Sequence, residues 1–468
     1  MNFSSSFNDD QRFEHYMDAL AEAVGQGPRA ERLRGYCTGL LLPGVRKSIE
    51  PMAARLGPDR ARSLHQSLHH FIADGAWSDD AVLAAVHTQV LPSMVAHGPI
   101  RFAIVDDTGM PKKGKHSVGV ARQYCGEVGK VDNCQVLVSL SVANDTACLP
   151  IAAALYLPET WAEDFERRAV VGVPLDVGFR TKPAIALDQI RHAHASGVPL
   201  GVVLADEAYG ANPAFRRGVA ALGLPSALGV PSSLRVHPPR DGRRARCWPN
   251  ADETLAVRAL AGRLPRSRWR WVTWRDGTGS GDLTSRFAMI RVRVAPISAG
   301  TVSDEGEQTL LIEWPVGKPD PLGYWLVTLP AHTPLATVVN IAKGRWWIEQ
   351  NYRELKQEVG LGDFEGRGWR GFHHHVTLTI AAYGFLVRQR CEQGPPVGGQ
   401  ATNLFFPDVP DPANPPLRPQ RHVAHSIATQ RHRMMVALAR RLPRCPCCHV
   451  RHPPRPLATS IVRIWTAS

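Results

Sequence analysis

Residues 201–210 read GVVLADEAYG and residues 101–107 read RFAIVDD, and the likeness of the two stretches decides the fold. Each is a short apolar run that stops at acidic residues, the pattern of a buried strand ending in a loop. Helical patterns flank the second run, with KPAIALDQIRHAHAS at 182–196 before it and NPAFRRGVAALG at 212–223 after it. Further apolar runs, VLVSLSVAND at 136–145 and CLPIAAALYLP at 148–158, are bounded by turn residues. Strands alternating with helices in this way predict an α/β domain with a mixed sheet.

Asp107 and Asp206 end these strands, so each is expected to project into the cleft where open sheets hold their ligands. A hard divalent cation such as Mg²⁺ or Mn²⁺ takes oxygen ligands from several elements, and strand-end acids meet that need. An Asp after a strand also serves as a helix N-cap or turn residue. Asp106 competes with Asp107, because alternation does not separate neighbours in a strand buried on both faces.

A third acid comes with a helical pattern, AKGRWWIEQNYRELKQE at 342–358. Arg345, Glu349 and Lys356 stand at i, i+4 and i+11, which confines them to an arc of roughly 40° on one helix face. Ile348 and Leu355 lie on a different side, suited to packing on the sheet. Glu349 then becomes a candidate third metal ligand, with Arg345 and Lys356 contacting phosphates beside the scissile bond. A solvated face of i,i+4 charge pairs has the same spacing.

Composition sets the surrounding limits. The chain has 468 residues, more than one ordinary domain needs. Lys and Arg number 55 against 42 acids, a net charge of +13 that favours a polyanionic partner, nucleic acid first. The start MNFSSSFNDDQRFEHYMDAL is polar and acidic where a secretory signal is basic then apolar, and no apolar run is long enough to span a membrane. A soluble intracellular protein is expected. Nine cysteines in so long a chain do not make a disulfide framework.

Five segments are expected. Residues 1–96 carry helical periodicity and many basic residues, as a DNA-end-binding module would. Residues 97–230 hold the first part of the α/β core. Residues 231–332, with WRWVTWRDG, SRFAMIRVRV, TLLIEWP and YWLVTLP, form a β-rich insertion. Residues 333–393 supply the C-terminal core helices, and residues 394–468 a Pro-rich linker and basic, Cys-containing tail.

Arg345-x3-Glu349-x6-Lys356 resembles the Tyr-x2-Arg-x3-Glu-x6-Lys signature of a branch of bacterial insertion-sequence transposases in the DDE superfamily. Ala342 stands at the signature Tyr, and Tyr352, close on the helix, is the substitute contact. VDDTGMPKKGKHSVGVARQYCG at 105–126 is similar to the family segment around the first catalytic Asp, which there directly precedes Thr, so the resemblance prefers Asp107 to Asp106. GKVDNCQVLVSLSV, LADEAYG and ELKQEVGLGDFEGRGWRGFHHHVTL resemble the segments that follow.

The resemblance implies an RNase-H-like catalytic core interrupted by the β-rich insertion. Asp107, Asp206 and Glu349 would be catalytic and hold two Mg²⁺ or Mn²⁺ ions, and the reaction would be cleavage at mobile-element ends followed by strand transfer. Double-stranded DNA, as terminal inverted repeats and target, is the implied partner, with a dimer on DNA and a cytoplasmic, nucleoid-associated location in a bacterium. A transposase-derived DNA-binding regulator and an RNase-H-like structure-specific nuclease are the alternatives.

Lys112, Lys113 and Lys115 follow the first acids and are expected to line the DNA path. The tryptophans of the insertion are expected mostly in the core. His373, His374 and His375 point in three directions on a helix and so read as structural. Cys445, Cys447, Cys448 and His449, with His452, have knuckle-like spacing of the kind that holds Zn²⁺, without a second ligand pair at the usual separation.

Overall fold

The computed structural model describes residues 9–239, 248, 253–275, 283–296, 305–393 and 425–443. The Pro-rich stretch at 394–421 and the Cys445–Cys448 cluster lie outside the described residues. Five helices open the chain: α1 (Asp9–Val24), α2 (Pro28–Leu41), α3 (Ile49–Leu56), α4 (Ala61–Ala73) and α5 (Asp79–Val95). Then come β1 (Phe102–Pro111), β2 (Ala121–Cys125), β3 (Lys130–Ala143) and β4 (Cys148–Leu155), followed by α6 (Glu159–Ala162), α7 (Phe165–Val171) and α8 (Lys182–Ala195). β5 (Val202–Ala205), α9 (Glu207–Gly210), α10 (Pro213–Ala221) and β6 (Ser226–Gly229) continue the alternation.

The β-rich stretch holds β7 (Arg235–His237), β8 (Leu255–Ala256), α11 (Val257–Arg263), β9 (Arg270–Arg275), β10 (Leu283–Val294), β11 (Glu307–Glu313) and β12 (Gly323–Val327). Four helices follow: α12 (Leu335–Lys343), α13 (Trp346–Val359), α14 (Trp369–Gln393) and α15 (Ile427–Ala439). Helix starts follow capping chemistry. Thr181 caps α8 and Asn212 caps α10, each through its side chain and each with Pro in the first helical positions.

The strands form one mixed, mostly antiparallel open sheet in the order β2-β3-β1-β5-β6-β12-β11-β10-β7-β8, with β4 beside β3 and β9 beside β10. Among the described residues only β1 with β5 and β5 with β6 run parallel. The insertion is therefore not a separate sheet: Trp325, Leu326 and Val327 of β12 pair with Gly229, Leu228 and Ala227 of β6. It does carry its own apolar cluster, including Val236, Ala288, Val292, Leu310 and Leu326.

The N-terminal helices share the main core. Phe13 and Tyr16 of α1 pack on Phe385 of α14 with ring centroids 5.1 and 5.4 Å apart, and one continuous cluster runs from Phe13 through the β1–β5 strands to Leu438. Among the described residues no helix is long and apolar enough to cross a membrane.

Candidate active site

Parallel pairing of β1 with β5 brings the β1 acids beside the end of β5. Contrary to the sequence expectation Asp107 does not end its strand, because β1 stays paired with β3 as far as Pro111. Asp206 is the first residue beyond β5 and caps α9, its Oδ1 accepting from the backbone N–H of Ala208 at 2.9 Å and of Tyr209 at 3.4 Å. The turn needs glycine at its far end, since a Cβ on Gly210 would lie 1.9 Å from the carbonyl oxygen of Gly229. This close backbone approach docks the Asp206 turn against the end of β6.

Asp106 and Asp107 are consecutive residues of β1 and face opposite sides of the sheet. Helix α13 covers the Asp106 side. Ser139, the cross-strand partner of Asp106, shares a 2.7 Å hydrogen bond with the hydroxyl of Tyr352, and Arg345 Nη1 donates to Asp106 Oδ2 at 2.5 Å. Helix α8 serves the other side, where Lys182 Nζ lies 3.1 Å from Asp107 Oδ2. The Tyr209 hydroxyl also donates to that oxygen, at 3.3 Å.

Electrostatics tie the Asp106 side to the other acids. Burial pushes the Asp106 carboxyl up to about 7; Arg345 pulls it down, while the negative charge of Asp206 pushes it up further. Burial works against the charge of Arg345, but Asp106, Asp206 and Glu349 together outweigh it and raise its pKa. Arg345 Nη2 is 3.9 Å from Glu349 Oε1. One guanidinium thus answers three carboxylates from β1, the β5 end and α13.

That charge balance is the test of fit for a divalent cation. The donors are all carboxylate oxygens, as a hard ion requires, and a cationic group already sits within their field. The acids are not gathered as a ligand set, however. Among the described residues no group of three His, Cys, Asp or Glu side chains converges closely enough to hold an ion, and the Glu349 side chain is 67% exposed. The side chains of Asp206, Glu349 and the β1 acids thus offer the donor type that a hard divalent cation takes, without being drawn together as its ligands.

The expected DNA contacts fall in different places. Lys356 lies in the last turn of α13, bonded to the carbonyl of Gly109 at 2.8 Å and paired with Glu127. Lys113 and Lys115 are exposed. Lys112 is half-buried and donates to the carbonyl of Phe364. Tyr352 is buried, its hydroxyl engaged by Ser139 beneath the site, so it supports α13 from below. Ala342 is also buried.

His373, His374 and His375 do point three ways. His373 meets the Trp369 carbonyl, His374 the carbonyls of Ile72 and Trp77, and His375 the Tyr36 hydroxyl and Gly360 carbonyl. Trp274 and Trp325, with Phe287, surround the Lys343 amine at 4.8, 5.2 and 5.8 Å, and Lys343 pairs with buried Glu313. Trp271 alone among the insertion's tryptophans is well exposed, at 62%.

Sequence reading missed Lys182 and Tyr209 as neighbours of Asp107, and Glu127 as the partner of Lys356. Tyr209 lies inside the LADEAYG motif, three residues from Asp206, and was findable there. Lys182 and Glu127 carry no spacing signal, because their partners are far along the chain.

Comparison with known proteins identifies the family. The family described as DDE superfamily endonuclease matches residues 20–281, and the transposase DDE domain matches residues 179–385. The chain is similar to a probable transposase for insertion sequence element IS701 from Microchaete diplosiphon, 26% identical over 323 residues, 68% of this chain and 72% of the relative. The first match alone spans more than half of the 468 residues and contains both β1 acids and Asp206, and on this ground the chain belongs to the DDE endonuclease superfamily, among its insertion-sequence transposases.

Proposed function

We propose that this protein cuts DNA at the ends of a mobile element and joins them to target DNA, using an RNase-H-like core in which Asp206, Glu349 and one of the β1 acids, Asp106 or Asp107, form the acidic set and Arg345 and Lys356 read phosphates. The observation that carries the reading is the Arg345 bridge, which ties α13 to Asp106 within β1 and lies in the field of Asp206 and Glu349. When bound, two Mg²⁺ or Mn²⁺ ions would supply Lewis-acid stabilisation of an in-line displacement at phosphorus. Arg345 and Lys356 orient the phosphodiester, and α13 holds Glu349 over the cleft. Lys113 and Lys115 extend the cationic surface beyond β1.

The packing of α13 favours a refinement. Asp106, not Asp107, shares a sheet face with α13 and meets Arg345, so Asp106 is the β1 acid better placed to act with Glu349. Asp107, held by Lys182 and Tyr209, then supports the strand end from the other face. The partner is double-stranded DNA, bound as terminal inverted repeats by a dimer in the bacterial cytoplasm.

The test is incubation of purified protein with Mg²⁺ and DNA carrying the element's terminal repeats. Joined products are expected. Cleavage without joining would identify a structure-specific nuclease, and retention without cleavage a regulator.

A further inference from the structure

The turn between β2 and β3 carries a carboxylate that belongs to no acidic set yet touches the proposed DNA surface. Val128 and Gly129 both donate to the carbonyl of Cys125, at 3.1 and 3.0 Å, and Gly129 takes φ +64°. This tight turn fixes Glu127 at its tip, and Glu127 Oε2 reaches the Nζ of Lys356, 229 residues further along the chain.

Lys356 is well placed to be held. Its side chain is only 18% exposed, against 44% for Glu127, and Nζ already donates to Gly109 at the end of β1. An ammonium group has three donors; Gly109 takes one and Glu127 another. A DNA phosphate arriving at Nζ meets the Glu127 carboxylate first, and two anions competing for one ammonium repel each other.

We propose that Glu127 is an acidic latch on Lys356, standing in the DNA-free protein where a phosphate stands in the complex, so that end binding exchanges one anion for the other. The proposal rests on the reading of Lys356 as a phosphate contact. It assigns Glu127 a positioning role: the latch keeps Lys356 extended along the cleft, and its release is a cost that DNA binding must meet.

The test is a double-mutant cycle on DNA affinity, measured by fluorescence anisotropy with labelled DNA carrying the terminal repeats, in EDTA so that no chemistry occurs. K356A should weaken binding. E127Q should tighten it, about fivefold at roughly 0.1 M salt, as expected for removing a partly exposed ion pair and a nearby negative charge. E127A, which removes the side chain altogether, should give a similar gain.

The gain should vanish in the E127Q/K356A double variant. An equal gain with and without Lys356 would reduce the effect to net charge and overturn the latch. No gain in E127Q and E127A, with K356A still weakened, would overturn the latch while leaving the phosphate reading intact. If K356A bound DNA as tightly as the wild type, the phosphate reading itself would fall, and the latch with it.

Discussion

Arg345 and Asp106, 239 residues apart in the chain, meet in a 2.5 Å hydrogen bond that joins α13 to β1. Through it, the helix bearing Glu349 is registered against the strand that bears Asp106 and Asp107. The first prediction concerns which β1 acid works with that helix. D106N, D206N and E349Q should each lower end cleavage on the order of 10³-fold or more, as loss of a metal-ligating carboxylate does, with thermal melting verifying that each variant is folded. D107N should cost far less. A larger loss in D107N than in D106N would return Asp107 to the acidic set.

Tyr352 gives the second prediction. Its hydroxyl bonds Ser139 in the interior, so Y352F should destabilise the fold by about 1 kcal/mol while leaving DNA affinity within about twofold. Urea denaturation and anisotropy measure the two quantities. A large loss of affinity with unchanged stability would place the tyrosine at the DNA surface instead.

The third concerns the grip of the insertion on α12. Lys343 pairs with Glu313, whose side chain is 2% exposed, inside a ring of Trp274, Phe287 and Trp325. K343A leaves that carboxylate buried without its partner and should cost about 3 kcal/mol in chemical denaturation. K343A/E313Q should recover part of the loss.

Asp79 gives a pH signature. Burial pushes its carboxyl up to about 7 while Thr377 donates to it and lowers it. A carboxyl with a raised folded-state pKa stabilises most below its unfolded value near 3.8, and that contribution drains away as pH rises to about 7. D79N should therefore gain stability over the wild type above pH 7 and none below about pH 4. Because 30% of the side chain meets solvent, the gain should be on the order of 1 kcal/mol. Stability that rises between these limits in the wild type would contradict the assignment.

Much of this site was legible in the sequence, and the rest was hidden for identifiable reasons. The strand-end position of Asp206 followed from a short apolar run, whereas β1 runs on past Asp107 to Pro111 because Thr108–Pro111 keep pairing with β3; the shared face of Arg345, Glu349 and Lys356 followed from helical period. The side of the sheet that α13 covers was not legible, because β1 is buried on both faces at Ala103, Ile104 and Val105 and gives no alternation to orient its acids. Tyr352 was assigned to the DNA surface because helix proximity does not reveal burial. The continuity of β6 with β12 depends on backbone pairing between segments about a hundred residues apart, which composition does not encode. The packing of Phe13 and Tyr16 on Phe385 joins segments about 370 residues apart, a pairing that no local pattern announces.

That last contact bears on how the chain is made. Translation delivers α1 well before the ring it packs on, which appears only at Phe385, after the strands of the sheet have left the ribosome. Helices α2 and α5 emerge early enough to cover part of α1, but the face that Phe13 and Tyr16 turn to Phe385 stays without that partner until then, a condition in which nascent chains need shielding from aggregation. Closure of the main core is thus a late event, reached as α14 arrives against α1.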